Sequence, residues 1–213
     1  MFDEGLFEME IDAGMEALTL HNPGLLHFDL DSLEITDKTL LAIATHCRYL
    51  QDLLLYYDPV FSDPSPDFAD PDDEPPSISD AGIIAITQNC HLRVLHISNH
   101  RLFTDAVLMA VAAHCHDTLY LYTDCLSEFT DARLAAVVRG CPELQHVSVT
   151  GIKAITHQGI IDLAEQLPKL RNLCCNKGIC DAVSDLFRRR WPAVELTTYS
   201  PYWASVADAF VID

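Results

Sequence analysis

The motif Phe129-Thr130-Asp131, an apolar residue followed by a hydroxyl and an acid, recurs along the chain. Successive copies from Asp80 onward are 25 or 26 residues apart. The other copies are Ile35-Thr36-Asp37, Ile78-Ser79-Asp80, Phe103-Thr104-Asp105 and Ile155-Thr156-His157. A short period of this kind is typical of a solenoid, in which one repeat cannot bury its own apolar face and stacks on its neighbours. The sequence therefore predicts stacked repeats that present an extended surface.

The motif is expected to mark the start of a helix in each repeat. A hydroxyl just before a helix accepts a bond from an unpaired backbone N–H, and an acid beside it favours the positive helix end. Apolar residues three and four apart follow, as at Leu40 and Ile43. Weaker copies at Asp12 and Asp181 extend the array toward both ends. The helices are predicted to end at Cys47, Cys90, Cys115 and Cys141.

After each helix the apolar residues alternate, as at Leu53 and Leu55 or at Val147 and Val149, which predicts a strand. A helix and a strand fit into so short a repeat only if each strand pairs in parallel with its equivalent in the next repeat. The predicted fold is an α/β solenoid of about six to seven repeats. Its parallel strands line the concave face of a horseshoe arc, and its helices lie on the convex face.

Domain organisation follows from one irregular interval, the 43 residues from Asp37 to Asp80. Its surplus lies at about residues 58–77, which are rich in proline and acid and are predicted to form a disordered insertion. The insertion is either a tolerated surface loop or an acidic flap beside the binding face. The repeat array is assigned to residues 1–198, and residues 199–213 to a C-terminal cap or tail.

Charge is distributed unevenly along the chain, whose formal net charge is −19. Residues 1–92 hold 19 acidic residues against only Lys38 and Arg48. Nucleic acid is disfavoured as a partner because phosphate binding relies on clustered Lys and Arg. A protein partner with a basic surface suits the acidic half. With no apolar run of membrane-spanning length, we expect no membrane association and a cytoplasmic or nuclear location.

The repeat pattern itself explains the residues that could otherwise indicate metal binding or catalysis. Pairs such as His46-Cys47 and Cys90-His91 resemble metal ligands, but each cysteine occupies the same helix-end position. Equivalent positions form buried rows, so reduced thiols are expected rather than disulfides. Phosphate-binding glycine loops and nucleophile elbows are missing from the sequence. We expect no enzyme activity, catalytic residue, metal or cofactor.

Side chains that alternate with the buried strand leucines are expected to face the concave side, where such a solenoid binds its partners. Tyrosines there are preferred hot-spot residues, because they bury a large area and keep a polar tip. The alternative is that strand tyrosines only satisfy sheet propensity. The predicted protein-binding residues are Asp29, Asp31, Leu54, Tyr56, His96, Tyr120 and Tyr122.

Residues Cys141 to Ile160 read Cys-Pro-x-Leu-x-x-Val-x-Val-x(5)-Ile-Thr-x-x-Gly-Ile. This pattern resembles the cysteine-containing leucine-rich repeat, and the resemblance covers about residues 9 to 198. The repeat is typical of F-box/leucine-rich-repeat proteins, which are substrate receptors of cullin-based ubiquitin ligases, and of the related antagonist-of-mitotic-exit-network proteins. The resemblance implies a right-handed leucine-rich-repeat solenoid.

The same resemblance implies a function, the substrate-recognition region of an F-box-type (SCF) ubiquitin ligase receptor. A receptor of that family carries an F-box, a helical module ahead of the repeats that docks the cullin adaptor, whereas here the repeats begin almost at Met1. A cullin adaptor is therefore expected as a partner only if an F-box lies outside this chain. The alternative is a non-enzymatic scaffold or regulatory protein with no ubiquitin-ligase link.

Overall fold

A computed structural model describes residues 4–30, 35–56, 78–98, 103–124, 126 and 129–198, without the side chains of residues 4–10 and Tyr56. Helices and strands alternate through these residues. The helices are α1 (Glu4–His21), α2 (Asp37–His46), α3 (Asp80–Asn89), α4 (Asp105–His114), α5 (Asp131–Gly140), α6 (His157–Gln166) and α7 (Lys177–Arg190). The strands are β1 (His27–Asp29), β2 (Asp52–Tyr56), β3 (Val94–Ser98), β4 (Tyr120–Tyr122), β5 (His146–Ser148), β6 (Asn172–Cys174) and β7 (Glu195–Thr197).

All seven strands belong to one parallel sheet, in which they follow one another in sequence order from β1 to β7. Each helix packs against the next, so the helices form a single layer on one side of the sheet. The sheet remains open, with β1 and β7 at its edges. This confirms the predicted α/β solenoid. None of the helices in the described part of the chain is long and apolar enough to cross a membrane.

The hydrophobic core fills the space between the sheet and the helix layer. Register places the central residues of successive strands side by side, and their side chains are buried. Because the parallel strands pair in register, the apolar side chain at the centre of each strand packs against its equivalent in the next strand. The residues of this central row are Phe28, Leu53, Leu95, Leu121, Val147, Leu173 and, half-buried at the edge, Leu196.

The repeat motif begins helices as predicted. The hydroxyls of Thr36, Ser79 and Thr104 accept a bond from the backbone N–H two residues later, and Thr156 accepts one from Gly159. Thr130 precedes α5 in the same extended conformation but accepts no capping bond with its side chain. At the other end, the buried cysteines that cap the helices are Cys47, Cys90, Cys115 and Cys141.

The two weaker copies of the motif do not begin helices. Asp12 lies inside α1, which begins at Glu4, although its carboxylate accepts bonds from Thr36 at the start of the next helix. Asp181 lies in the second turn of α7, where it pairs with Lys177 at 3.0 Å. α7 begins at Lys177 after Asn176, so the last repeat is shorter than the others. The predicted insertion at about 58–77 and the predicted cap at 199–213 lie outside the described residues.

Candidate protein-binding surface

The sheet face opposite the helices carries its side chains in rows, because equivalent residues of neighbouring strands are in register. The first row, at the strand amino ends, comprises His27, Asp52, Val94, Tyr120, His146, Asn172 and Glu195. The second row, two residues further along each strand, comprises Asp29, Leu54, His96, Tyr122, Ser148, Cys174 and Thr197. We call this side of the sheet the concave face.

The second row contains four of the predicted binding residues. Leu54, His96 and Tyr122 are neighbours there, and the rings of His96 and Tyr122 are 5.4 Å apart. The strand register therefore brings these three predicted residues together. Asp29 lies at the β1 end of the row and is exposed.

The side chains of these three residues are buried although they lie on the concave face. Leu54 is 1% exposed, and His96 and Tyr122 are 3% exposed. Alternation along a strand fixes the side of the sheet on which a residue lies, but it does not determine how far other residues cover it. Their role in binding stays a prediction.

Tyr120 occupies the first row, apart from Tyr122, and remains half-buried. Its ring stacks on His146 of the next strand, with centroids 4.3 Å apart and planes 10° from parallel. Sequence reasoning missed His146, although it occupies the strand position of Tyr120 one repeat later. Asp31 and the side chain of Tyr56, the two remaining predicted residues, lie outside the described residues.

Polar pairs flank the stacked rings on both sides of the first row. His27 Nδ1 lies 3.6 Å from Asp52 Oδ2 near the β1 edge. Asn172 Nδ2 donates to Glu195 Oε2 at 3.2 Å near the β7 edge. His27, Asp52 and Glu195 retain access to solvent. The first row therefore combines an aromatic centre with hydrogen-bonding groups at its ends, as protein interfaces do.

A third polar row, at the strand carboxyl ends, serves the fold. Asp124 accepts bonds from the Ser148 hydroxyl at 2.5 Å and from the backbone N–H and hydroxyl of Thr150 at 2.9 and 2.7 Å. Burial raises the pKa of this carboxyl, although the three bonds act in the opposite direction. Asn176 likewise accepts from Gly151 N–H and donates to Ile152 O. These groups hold turns between repeats.

The described residues contain no group of three or more His, Cys, Asp or Glu side chains close enough to hold a metal ion. His46 ends α2 next to its C-cap Cys47, and His91 follows Cys90, the C-cap of α3.

No protein-family model and no curated protein matches this chain. Solved structures do match, and one is the crystal structure of a Rad7 and Elc1 complex in yeast. The similarity has 15% sequence identity and a TM-score of 0.30, and it covers 87% of this chain. This chain spans 64% of the length of the chain it matches there. Similarity this low carries no argument about function.

Proposed function

We propose that this chain is a protein-interaction module that binds a partner through the first row of its concave face. The observation that supports this is the stacked pair of Tyr120 and His146, half-buried on the side of the sheet away from the helix layer. Among the described residues, no helix packs on that side. A single-layer parallel sheet with one such face is suited to recognition.

The aromatic pair is suited to be the centre of the interface. Rigid rings lose little conformational freedom on binding, and Tyr residues are enriched among those that dominate binding energy. Stacking on His146 holds the Tyr120 ring in place before the partner arrives. The polar pairs at His27 and Asn172 would lie toward the rim and fix orientation more than affinity.

The partner we propose is a protein with a basic surface. The exposed Asp29 and the half-buried Asp52 lie at the β1 end of the concave face, in the half of the chain that holds nearly all of the net negative charge. Opposite charge accelerates diffusional encounter and is screened by salt. Association should therefore slow as ionic strength rises.

More specifically, we propose that the module is the substrate-recognition region of an F-box-type ubiquitin ligase receptor, with no catalysis of its own. The cysteine-containing repeat pattern at Cys141–Ile160 supports this assignment. Affinity capture of the natural gene product from cells, scored for a cullin adaptor, tests it. Recovery of the adaptor supports the ligase role. Capture of other proteins without the adaptor would favour the scaffold alternative.

Photo-crosslinking tests the interaction surface itself. A photoreactive phenylalanine analogue placed at Tyr120 should join the chain to its captured partner. The same analogue at Tyr49, which is 71% exposed in the turn between α2 and β2, is the matched control and should give no specific product. Crosslinks from position 49 with none from position 120 would place the interface away from the concave face.

A further inference from the structure

We propose that Cys175 and Cys180 are a redox-sensitive pair that forms a reversible disulfide within the last repeat. Their sulfur atoms lie 2.9 Å apart. That is closer than two unbonded sulfurs ordinarily approach, and less than about 1 Å longer than the ~2.05 Å of a disulfide. The four residues between the two cysteines conceal this proximity in the sequence.

The local backbone brings the two thiols together. Cys175 directly follows β6, and Asn176 begins the turn into α7, where its carbonyl accepts bonds from the N–H groups of Ile179 and Cys180 at 2.9 and 3.0 Å. This turn folds the first turn of α7 back over the end of the strand. Cys180 Sγ also lies 3.1 Å from the carbonyl of Thr197 at the end of β7. A bond between the sulfurs would join β6 to α7 beside the last strand.

The alternation of side chains along the strand excludes the neighbouring Cys174 from this disulfide. Cys174 precedes Cys175 directly, but it belongs to the second row on the concave face, whereas Cys175 belongs to the core. Consecutive side chains of a strand point to opposite faces. Cys180 can therefore pair with Cys175 and not with Cys174.

Burial controls how the pair reacts. Cys175 is 0% exposed and Cys180 is 6% exposed, and burial raises the pKa of the Cys175 thiol. Reagents therefore reach these thiols only when this repeat opens locally.

The oxidant is a low-molecular-weight disulfide, and the chemistry balances by exchange. One cysteine thiolate attacks the reagent, whose S–S bond breaks to give a mixed disulfide and one reagent thiol. The second cysteine then attacks the mixed disulfide and releases the second reagent thiol. Two protein thiols lose two electrons in total, and their two protons pass to the reagent thiols. Dithiothreitol reverses the sequence.

Peptide mapping tests the proposal directly, because trypsin cleaves after Lys177 between the two cysteines. The chain is incubated with oxidised glutathione, remaining thiols are alkylated, and the digest is read by mass spectrometry. The expected product links the peptide Asn172–Lys177 to the peptide Gly178–Arg188 and disappears with dithiothreitol. The oxidised protein should also melt at a higher temperature than the reduced protein, because the crosslink restrains the unfolded chain.

Two variants assign the bond. Cys174→Ser should still give the linked peptides, whereas Cys180→Ser should abolish them, with circular dichroism confirming that both variants fold. If Cys180→Ser does not fold, the wild-type and Cys174→Ser digests decide the matter. Absence of the linked peptides from oxidised wild type, or their loss in a folded Cys174→Ser variant, would overturn the proposal.

Discussion

The carboxylate of Asp131 in one repeat accepts two hydrogen bonds from Thr156 in the next, from its backbone N–H at 2.9 Å and from its hydroxyl at 2.6 Å. The acid of the repeat motif therefore binds the residue that starts the next helix, an arrangement we call the clamp. It also lies at the positive end of its own helix, which its charge stabilises. Other carboxylates form the same clamp, in the pairs Asp12 with Thr36, Asp37 with Ser79 and Asp80 with Thr104.

One repeat departs from this arrangement. Asp105 binds Arg133 Nε at 2.6 Å, and the hydroxyl of Thr130 makes no capping bond. Both members of the Asp105–Arg133 pair are partly exposed, so solvent weakens their attraction. The clamp and the ion pair thus occupy equivalent junctions and can be compared within one protein.

Removing the clamp should lower the free energy of unfolding more than removing the ion pair does. Asp131→Ala removes a charged acceptor and two bonds, and we expect it to lower the free energy of unfolding by about 1.5–3 kcal/mol. Asp105→Ala, the control, should cost about 0.2–1 kcal/mol. Urea denaturation of both variants and wild type measures the difference. Equal losses would show that the clamp stabilises its junction no more than the ion pair does.

Glycine at position 159 makes room for the clamp. A Cβ there would lie 2.1 Å from Asp131 Oδ1, so Gly159→Ala must displace the carboxylate from Thr156. We expect a loss of about 1–3 kcal/mol in the free energy of unfolding. Gly178→Ala is the matched control, because a Cβ at that helical position meets nothing within 4 Å, and it should be neutral or stabilising by up to about 1 kcal/mol.

A double-mutant cycle identifies the cause of the Gly159→Ala effect. In an Asp131→Ala background the carboxylate is gone, so adding Gly159→Ala should cost clearly less than it does in wild type. Strictly additive losses, measured by urea denaturation, would refute the steric link between the two residues.

The parts of the fold that recur in every repeat could be predicted from the sequence. Buried apolar residues recur at every second position, as at Leu53 and Leu55 or at Val147 and Val149, so the strands and core rows could be predicted from each repeat alone. The clamp from Asp131 to Thr156 was not predicted, because a contact between repeats has no signature within one repeat. The start of α7 was misplaced since Asn176 replaces the usual Ser or Thr.

The candidate site was predicted less well than the fold. Strand alternation placed Leu54, His96 and Tyr122 on the concave face, yet their burial depends on residues distant in sequence. The contact between Tyr120 and His146 requires the register, which only the assembled sheet defines. Proximity of Cys175 and Cys180 depends on the turn at Asn176.

The cysteines that end the helices should be unreactive in the native protein. Cys90, Cys115 and Cys141 are buried, and burial raises the pKa of Cys90 to about 11 and of Cys115 and Cys141 to about 12. Near neutral pH the reactive thiolate is therefore scarce and inaccessible. A thiol probe followed by peptide mapping should label all three slowly before denaturation and rapidly after it. Rapid native labelling of all three would contradict the repeat register.

Asp124 should make stability depend on pH. Because its pKa is raised above the reference value of 3.8, the folded state holds this proton more tightly than the unfolded chain. Its contribution is therefore favourable at low pH and is lost as pH rises from about 4 through the folded-state pKa. Asp124→Asn removes this titration. The substitution should therefore lower the free energy of unfolding less near pH 7 than near pH 4.

Urea denaturation of wild type and Asp124→Asn at both pH values measures this effect, and other titrating groups cancel in the comparison. A cost that is instead larger near pH 7 would mean that the bonds from Ser148 and Thr150 outweigh burial and lower the pKa of Asp124.

The central claim, that the concave face binds a protein partner through Tyr120, is tested most directly by the affinity of Tyr120→Ala for the captured partner. Surface plasmon resonance compares it with wild type and with the control Tyr49→Ala, after circular dichroism has shown that both variants fold. We predict that Tyr120→Ala weakens binding by about 2 kcal/mol or more, largely through faster dissociation, and that Tyr49→Ala binds like wild type. Wild-type affinity in a folded Tyr120→Ala variant would contradict the account and move the interface off the first row.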